Sequence, residues 1–212
     1  MSPDIRIAFF DIDGTLHRGE TIWEILHKKN QTWETLGKRY LEQFIAGEID
    51  FETFARLDVA AWKGLPESML DEAIDEIILF EEAITVIDIL RSRGCHIYLI
   101  SNGIAQLAQG LVKRHQLSGF RANPLQLQNG ELSGHIDILV PYQSKGDEVQ
   151  KILNETNLSR EHAMAVGDGP GDVDMFHLVD HPFFLSFNGQ RYDTFEGPYI
   201  RHWNEILDYL MF

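Results

Sequence analysis

Arg6-Ile7-Ala8-Phe9-Phe10-Asp11-Ile12-Asp13-Gly14-Thr15 is the stretch from which the fold is read. Ile7 to Phe10 is apolar without alternation, the pattern of a strand buried on both faces, as in a parallel sheet. The run stops abruptly at two carboxylates. Ligands of open parallel α/β sheets bind outside the carboxyl ends of the strands, so Asp11 and Asp13 are expected to stand at such an edge.

Beyond Thr21 the pattern turns helical as far as Phe80, with periodic apolar positions at Trp23, Ile25, Leu26, Trp33, Leu36, Tyr40, Phe44, Phe54, Val59 and Trp62. Turns at Gly47 and at Gly64-Leu65-Pro66 divide it into separate helices. After Glu81 the α/β rhythm returns: a helix through Leu90, a strand from Cys95 to Ile100 and a helix from about Ile104 to His115. Asn129-Gly130, between stretches of alternating polarity, predicts a hairpin within Pro124 to Ile138. A helix over Lys145–Thr156, a strand over Ala163–Val166, a helix near Val173–Leu178 and a strand over Phe183–Phe187 complete the pattern. The predicted fold is α/β, a Rossmann-like parallel-sheet core formed by residues 1–16 and 81–212, with an inserted all-α helical-bundle cap at 17–80.

The chain has 212 residues, 44% of them hydrophobic and 11% aromatic, enough for a packed core with a small second module. Its formal charge of −15 disfavours nucleic acid and anionic membrane as partners. Apolar runs such as Ile5–Phe10 are of strand length, far short of a bilayer span. No basic start leads into an apolar signal segment and Cys95 has no disulfide partner, so the expected compartment is the cytoplasm, with Cys95 a small core residue. An anionic substrate would need local positive potential, from a metal ion, backbone amides and a few basic residues.

Three further motifs fall at element ends. Ser101-Asn102-Gly103 follows the strand ending at Ile100 and offers a hydroxyl and loop amides to phosphate oxygens. Lys145 opens a helix, where its ammonium would neutralise a phosphate. Gly167-Asp168-Gly169-Pro170-Gly171-Asp172 is an acidic glycine-rich loop suited to a hard cation. Taken singly, each has a bland alternative: an acidic turn, an ordinary Ser-Asn-Gly turn, a surface lysine, a polar loop. His177 and His181 lack a third ligand, and Pro182 follows them, so they read as a surface pair.

The four motifs in this order resemble the haloacid dehalogenase superfamily: Asp11 to Thr15, then Ser101, then Lys145, then Asp168 with Asp172. The insert looks like a type 1 cap, and Glu20, Phe51-Glu52, Leu65-Pro66 and the hairpin before Lys145 look like the phosphoserine phosphatase branch. The resemblance implies a Mg²⁺-dependent phosphatase acting on a small phosphorylated metabolite. Asp11 would be the nucleophile that becomes an aspartyl phosphate, and Asp13 the acid that protonates the leaving alkoxide and then the base for water. Asp11, Asp168 and the main chain of Asp13 would hold the metal, Asp172 would support it, and Ser101, Asn102 and Lys145 would bind phosphate. Carboxylate ligands without a tight His/Cys set favour magnesium over zinc. The cap would open and close over the site and bring Glu20 near the substrate.

Two readings from other classes share parts of this pattern. A phospho-aspartate receiver shares the Asp, metal and Lys but is about half this length and lacks a cap; a catalytically silent binder would keep the fold without activity. Within the phosphatase reading, a true phosphoserine phosphatase is the alternative. Gapless matching of the resembling branch from Phe51 to Pro66 puts Asp58 where that branch has an arginine for the substrate carboxylate. Arg56 would lie on nearly the opposite helix face. Gly171 replaces a substrate-binding Asn. Phosphoserine is therefore expected to be a poor substrate, with Glu20 and Asp58 as cap residues facing the ligand. Monomer and dimer remain equally open from sequence.

Overall fold

The computed structural model describes residues 3–212. Six strands form one parallel sheet in the order β3-β2-β1-β6-β7-β8: β1 Ile7–Phe10, β2 His96–Ile104, β3 Gly119–Asn123, β6 Ala163–Gly167, β7 His181–Leu185 and β8 Tyr199–Ile200. β1 lies between β2 and β6, so consecutive crossovers leave it in opposite directions and a crevice opens at its carboxyl end. The continuous apolar run of β1 is explained by two-sided burial. Ile7 and Phe9 pack with Val149, Ile152 and Phe176 on one face, and Ala8 and Phe10 pack with Val86, Leu90, Trp203 and Ile206 on the other.

Helices α5 (Glu81–Ser92), α6 (Ala105–His115), α7 (Lys145–Thr156), α8 (Val173–Phe176) and α9 (Trp203–Met211) flank the sheet. The insert after β1 forms α1 (Ile22–Lys29), α2 (Lys38–Ile45), α3 (Phe51–Ala61) and α4 (Glu67–Asp75), with one π-helical turn at Trp33–Gly37. Thr21 and Asp50 cap α1 and α3 by accepting from the amides of Glu24 and Thr53. Where the insert leaves and rejoins the core, Phe80 N–H donates to the Leu16 carbonyl at 2.9 Å.

The expected hairpin forms from β4 (Leu125–Gln128) and β5 (Glu131–Ile136). It adds no strand to the main sheet. Instead it is bound to the cap: Gly64 N–H donates to Leu132 O, Leu132 N–H to Leu65 O and Glu67 N–H to Gly130 O, at 2.8, 2.8 and 2.9 Å. Buried Leu132 and Ile136 pack in the same core cluster as Val59 and Trp62. The cap is thus roofed by helices and walled by a hairpin that belongs to the later part of the chain.

Three elements lie outside the sequence pattern: β3, β8 and α9. The last core strand also begins two residues earlier than expected, at His181, because Pro182 lacks the N–H that strand patterns assume yet still sits in register beside Ala165. Cys95 is buried, and burial pushes its thiol up to about 12, consistent with a core role. The His181 ring bonds Tyr209 and the Glu161 carbonyl and forms no metal pair with His177. Among the described residues no helix is long and apolar enough to cross a membrane.

Candidate active site

Asp11 follows β1 directly, and its amide is held by the Val166 carbonyl at 3.0 Å. The chain then turns sharply through Gly14. That residue has φ +83°, and a Cβ there would stand 2.3 Å from Asp168 Oδ2, so only glycine lets the first and last motifs approach this closely. Buried Thr15 bridges them: its hydroxyl lies 3.1 Å from Asp11 Oδ2 and 3.0 Å from Asp168 Oδ1.

Lys145, the first residue of α7, is buried and places Nζ 2.5 Å from both Asp11 Oδ1 and Asp172 Oδ1. The other oxygen of Asp172 accepts the amides of Asp168 and Gly169, each at 3.0 Å. Asp172 is therefore fully occupied in orienting Lys145 and the acidic loop. The start of α7 is braced as well, since Gly146 N–H donates to Asp174 Oδ2 at 2.8 Å.

Ligand oxygens of Asp11, Asp168 and Asp172 lie within 4.8 Å of one another. Such crowding out of water is costly to ionise. Burial pushes the Asp11 carboxyl up to about 6, with Lys145 pulling it down and Asp172 adding to the rise. Burial likewise raises Asp168 well above the usual carboxylate range, helped by Asp11 and Asp172. Burial opposes the charge of Lys145, but Asp11 and Asp172 outweigh it and hold the ammonium above the ordinary lysine range. One cation among three carboxylates leaves two negative charges uncompensated, and an oxygen-only donor set of this kind fits a hard divalent ion.

Asp13 stands beside this cluster, its side chain 19% exposed and its Oδ1 2.9 Å from Nε2 of buried His17. Ser101 closes the opposite side. It lies in β2 where the ladder with β3 shifts register between Ile100 and Ile104, which takes residues 101–103 out of regular pairing. Its Oγ accepts the Gly103 amide at 2.9 Å. The Asn102 side-chain nitrogen is committed to the carbonyls of Val140 and Pro141, at 3.0 and 2.7 Å.

These groups open into a cavity of about 290 Å³ lined by Asp11, Asp13, Ser101, Asn102, Lys145, Asp168 and Asp172 on the core side. Trp23, Phe44, Phe51 and Tyr142 also line it. A larger groove, about 620 Å³, lies at the amino ends of β1 and β2 around Arg6, Arg93 and His96, at the sheet edge remote from the carboxylates.

The two cap residues expected at the substrate are elsewhere. Asp58 is buried inside the cap, its Oδ1 2.9 Å from His27 Nε2, while His27 Nδ1 lies 2.7 Å from Thr32 Oγ1. Burial raises its carboxyl and the His27 bond opposes the rise. The π-helical turn makes room for this network: Gly37 packs against the His27 ring, where a Cβ would meet Cδ2 at 2.7 Å. Glu20 is about half exposed and bonded to Lys28 at 2.6 Å. Arg56 does point away, as the helix geometry required, and pairs with Glu52 on the surface at 2.7 Å.

Sequence reading passed over His17, Asn123 and Tyr142. His17, four residues after Asp13, was the only one with a local signal. Asn123 is fully buried and fully bonded. It donates to Asn102 O at 2.7 Å and accepts from the amides of Leu139 and Val140 at 2.7 and 2.8 Å, pinning the segment that carries Tyr142.

The fold and the acidic strand-end cluster define a hydrolase of the α/β class with a helical cap. The chain belongs to the haloacid dehalogenase-like hydrolases, whose family model matches residues 5–180. Phosphoserine phosphatase of Methanocaldococcus jannaschii is 30% identical over 177 residues, 83% of each chain, and that of Lactococcus lactis is 30% identical over 82% of this chain and 80% of its own. The solved phospho-aspartyl intermediate analogue of phosphoserine phosphatase superposes with a TM-score of 0.82 at 26% identity, over 98% of this chain and 99% of the other. The protein is an enzyme, a phosphoric monoester hydrolase.

Burial of Asp58 yields a direct expectation. Asp58→Arg will not create a substrate-carboxylate site; it will leave His27 unpaired beside a buried cation and destabilise the cap by about 3–5 kcal/mol. Thermal melting of the variant checks this, and an unchanged melting temperature with improved phosphoserine turnover would contradict the burial.

Proposed function

We propose that the protein hydrolyses a small phosphomonoester with Mg²⁺, using Asp11 as nucleophile and Asp13 as acid and then base, and that phosphoserine is not its preferred substrate. The observation that carries the chemistry is the meeting of Asp11, Lys145, Asp168 and Asp172 at one strand edge with Asp13 beside them. Mg²⁺ suits the carboxylate donors of Asp11 and Asp168 and the main chain at Asp13; bound there, it would polarise the phosphoryl group and offset the repulsion between anions.

Lys145 keeps its charge at every working pH and holds Asp11 Oδ1 in a fixed direction, which confines attack to the carboxylate's other lone pairs. Ser101 and Lys145 offer donors to the equatorial phosphoryl oxygens, where charge spreads in the transition state. With its side chain engaged, Asn102 would reach phosphate through its main-chain amide. Asp13, held by His17, delivers a proton to the departing alcohol oxygen and later takes one from water. Residues 17–80, moving together with the hairpin bonded to them, would form the cap that closes over the cavity and excludes water.

The preference against phosphoserine rests on the cap's inner wall. No basic side chain of the cap lines the cavity, because Arg56 faces solvent and the arginine position read from sequence is taken by the buried Asp58. A substrate carboxylate would enter an acidic site without a counter-charge.

Asp11→Asn is expected to lower kcat by roughly a thousandfold or more while leaving the melting temperature near wild type, since the amide keeps the shape but is a poor nucleophile. Activity near wild type would remove Asp11 from that role. For Asp13→Asn, alkyl phosphates should lose about 10²–10⁴-fold in rate and aryl phosphates much less in the first step, because an aryloxide needs little protonation. Equal losses for both would contradict the acid role.

Metal binding should depend on pH with a defined sign. The folded Asp11 value lies above the unfolded one, so in the metal-free protein its contribution to stability is complete below about pH 4 and is lost as pH rises through about 6. A cation must displace that proton. The rise in melting temperature caused by Mg²⁺ should therefore be larger at about pH 7.5 than at about pH 5; an equal or opposite difference would mean that the ion binds elsewhere.

A further inference from the structure

One side of the cavity is largely aromatic. Trp23, Phe44 and Phe51 come from the cap and Tyr142 from the core segment before α7. Tyr142 meets Phe44 edge-on, with centroids 5.5 Å apart and planes at 90°, and lies nearly parallel to Phe51 at 6.4 Å. Behind them Phe54 stacks on Phe44 at 5.3 Å and tilts against Trp23 at 5.7 Å. The wall therefore has a second layer that keeps its rings in place.

Tyr142 owes its position to Gly171. A Cβ at 171 would stand 2.9 Å from Tyr142 Cε2 and 3.4 Å from Cδ2, so any side chain there would force the ring to move. This is the acidic-loop position where the phosphoserine phosphatase pattern has Asn. Here the space is filled by an aromatic face instead of a polar contact. The ring's backbone is pinned by Asn102, which bonds the carbonyls of Val140 and Pro141, and by Asn123, which receives the amides of Leu139 and Val140.

No charged cap side chain lines the cavity to greet a charged alcohol: Glu20 pairs with Lys28, Arg56 with Glu52 and Asp58 with His27. A second negative charge placed against this wall would lose its hydration without gaining a partner, whereas an ammonium would meet ring faces that attract it. The cavity of about 290 Å³ is at the small end for ligand sites, which favours a small ester.

We propose that the leaving alcohol carries a small group without negative charge, aromatic, branched aliphatic or quaternary ammonium, seated against Trp23, Phe44, Phe51 and Tyr142, and that Tyr142, admitted by Gly171, is a specificity determinant. This rests on the phosphatase reading and names its substrate class.

The test is kcat/KM for primary alkyl phosphates that share the chemical step: ethyl, phenethyl and neohexyl phosphate, phosphocholine and phosphoserine. Phenethyl and neohexyl phosphate should exceed ethyl phosphate by about 10- to 100-fold, the yield of burying one ring or branched chain. Phosphocholine has the shape of the neohexyl ester with a positive charge that the ring faces attract, and it should likewise exceed ethyl phosphate. Tyr142→Ala should lower the phenethyl-to-ethyl ratio by about tenfold, Tyr142→Phe should keep it, and Gly171→Asn should lower it by displacing the ring. A wild-type ratio near one, an unchanged ratio in Tyr142→Ala, or phosphoserine ahead of neohexyl phosphate would overturn the proposal. Ethyl phosphate separates the two levels: its turnover, lost in Asp11→Asn, keeps the phosphatase reading even when the aromatic preference fails, whereas no turnover of any ester above Asp11→Asn overturns both.

Discussion

Asp11, Asp168 and Asp172 bring buried oxygens within 4.8 Å of one another, with Lys145 as the cation among them. Like charges held so close out of water repel strongly, and much of the core is arranged to tolerate this. The parallel sheet brings three of its segments to one edge, because β1 and β6 are neighbours and α7 starts beside them. Thr15 bridges the first and last motifs, two loop amides fix Asp172, and Asp174 holds the start of α7. Gly14 permits the close approach. The residual negative charge suits the site to a divalent cation, which on the proposed reading would also help a phosphate to bind.

Above this floor the cap follows a separate logic. Its charged residues are turned inward or outward, away from the cavity. Asp58 and His27 satisfy each other in the cap core beneath Trp62, whose ring meets the His27 imidazole at 5.2 Å, and Arg56 remains on the surface. What is left to face the substrate is aromatic. The fold is that of relatives named as phosphoserine phosphatases, while no basic cap side chain lines the cavity to meet a phosphoserine carboxylate. Fold and family are shared; on the proposed reading the choice of alcohol is set by side chains that can change without disturbing the floor.

The floor was legible in the sequence because each of its residues sits at the end of a strongly patterned element: β1 before Asp11, β2 before Ser101, β6 before Asp168 and α7 from Lys145. The hairpin was legible from Asn129-Gly130, but its attachment to the cap was not, since hydrogen bonds between Gly64–Glu67 and Gly130–Leu132 leave no periodic trace. Asp58 shows the limit of reading by register. A gapless match gives a position along a helix, while its partner His27 lies 31 residues away and only packing reveals that the face points inward. Tyr142 and Gly171 form a pair of the same kind, separated in sequence and fitted together only in space. β3 and β8 escaped because one is a polar edge strand and the other is two residues long.

The central claim is that Asp11 takes the phosphoryl group. Mapping the covalent intermediate tests it most directly: the enzyme is quenched during turnover, the acyl phosphate is reduced with borohydride, and the modified residue is located by peptide mass spectrometry. Conversion of Asp11 to homoserine, dependent on both substrate and Mg²⁺, is the predicted result. Reduction at any other carboxylate, or a phosphate retained on Ser101, would contradict it.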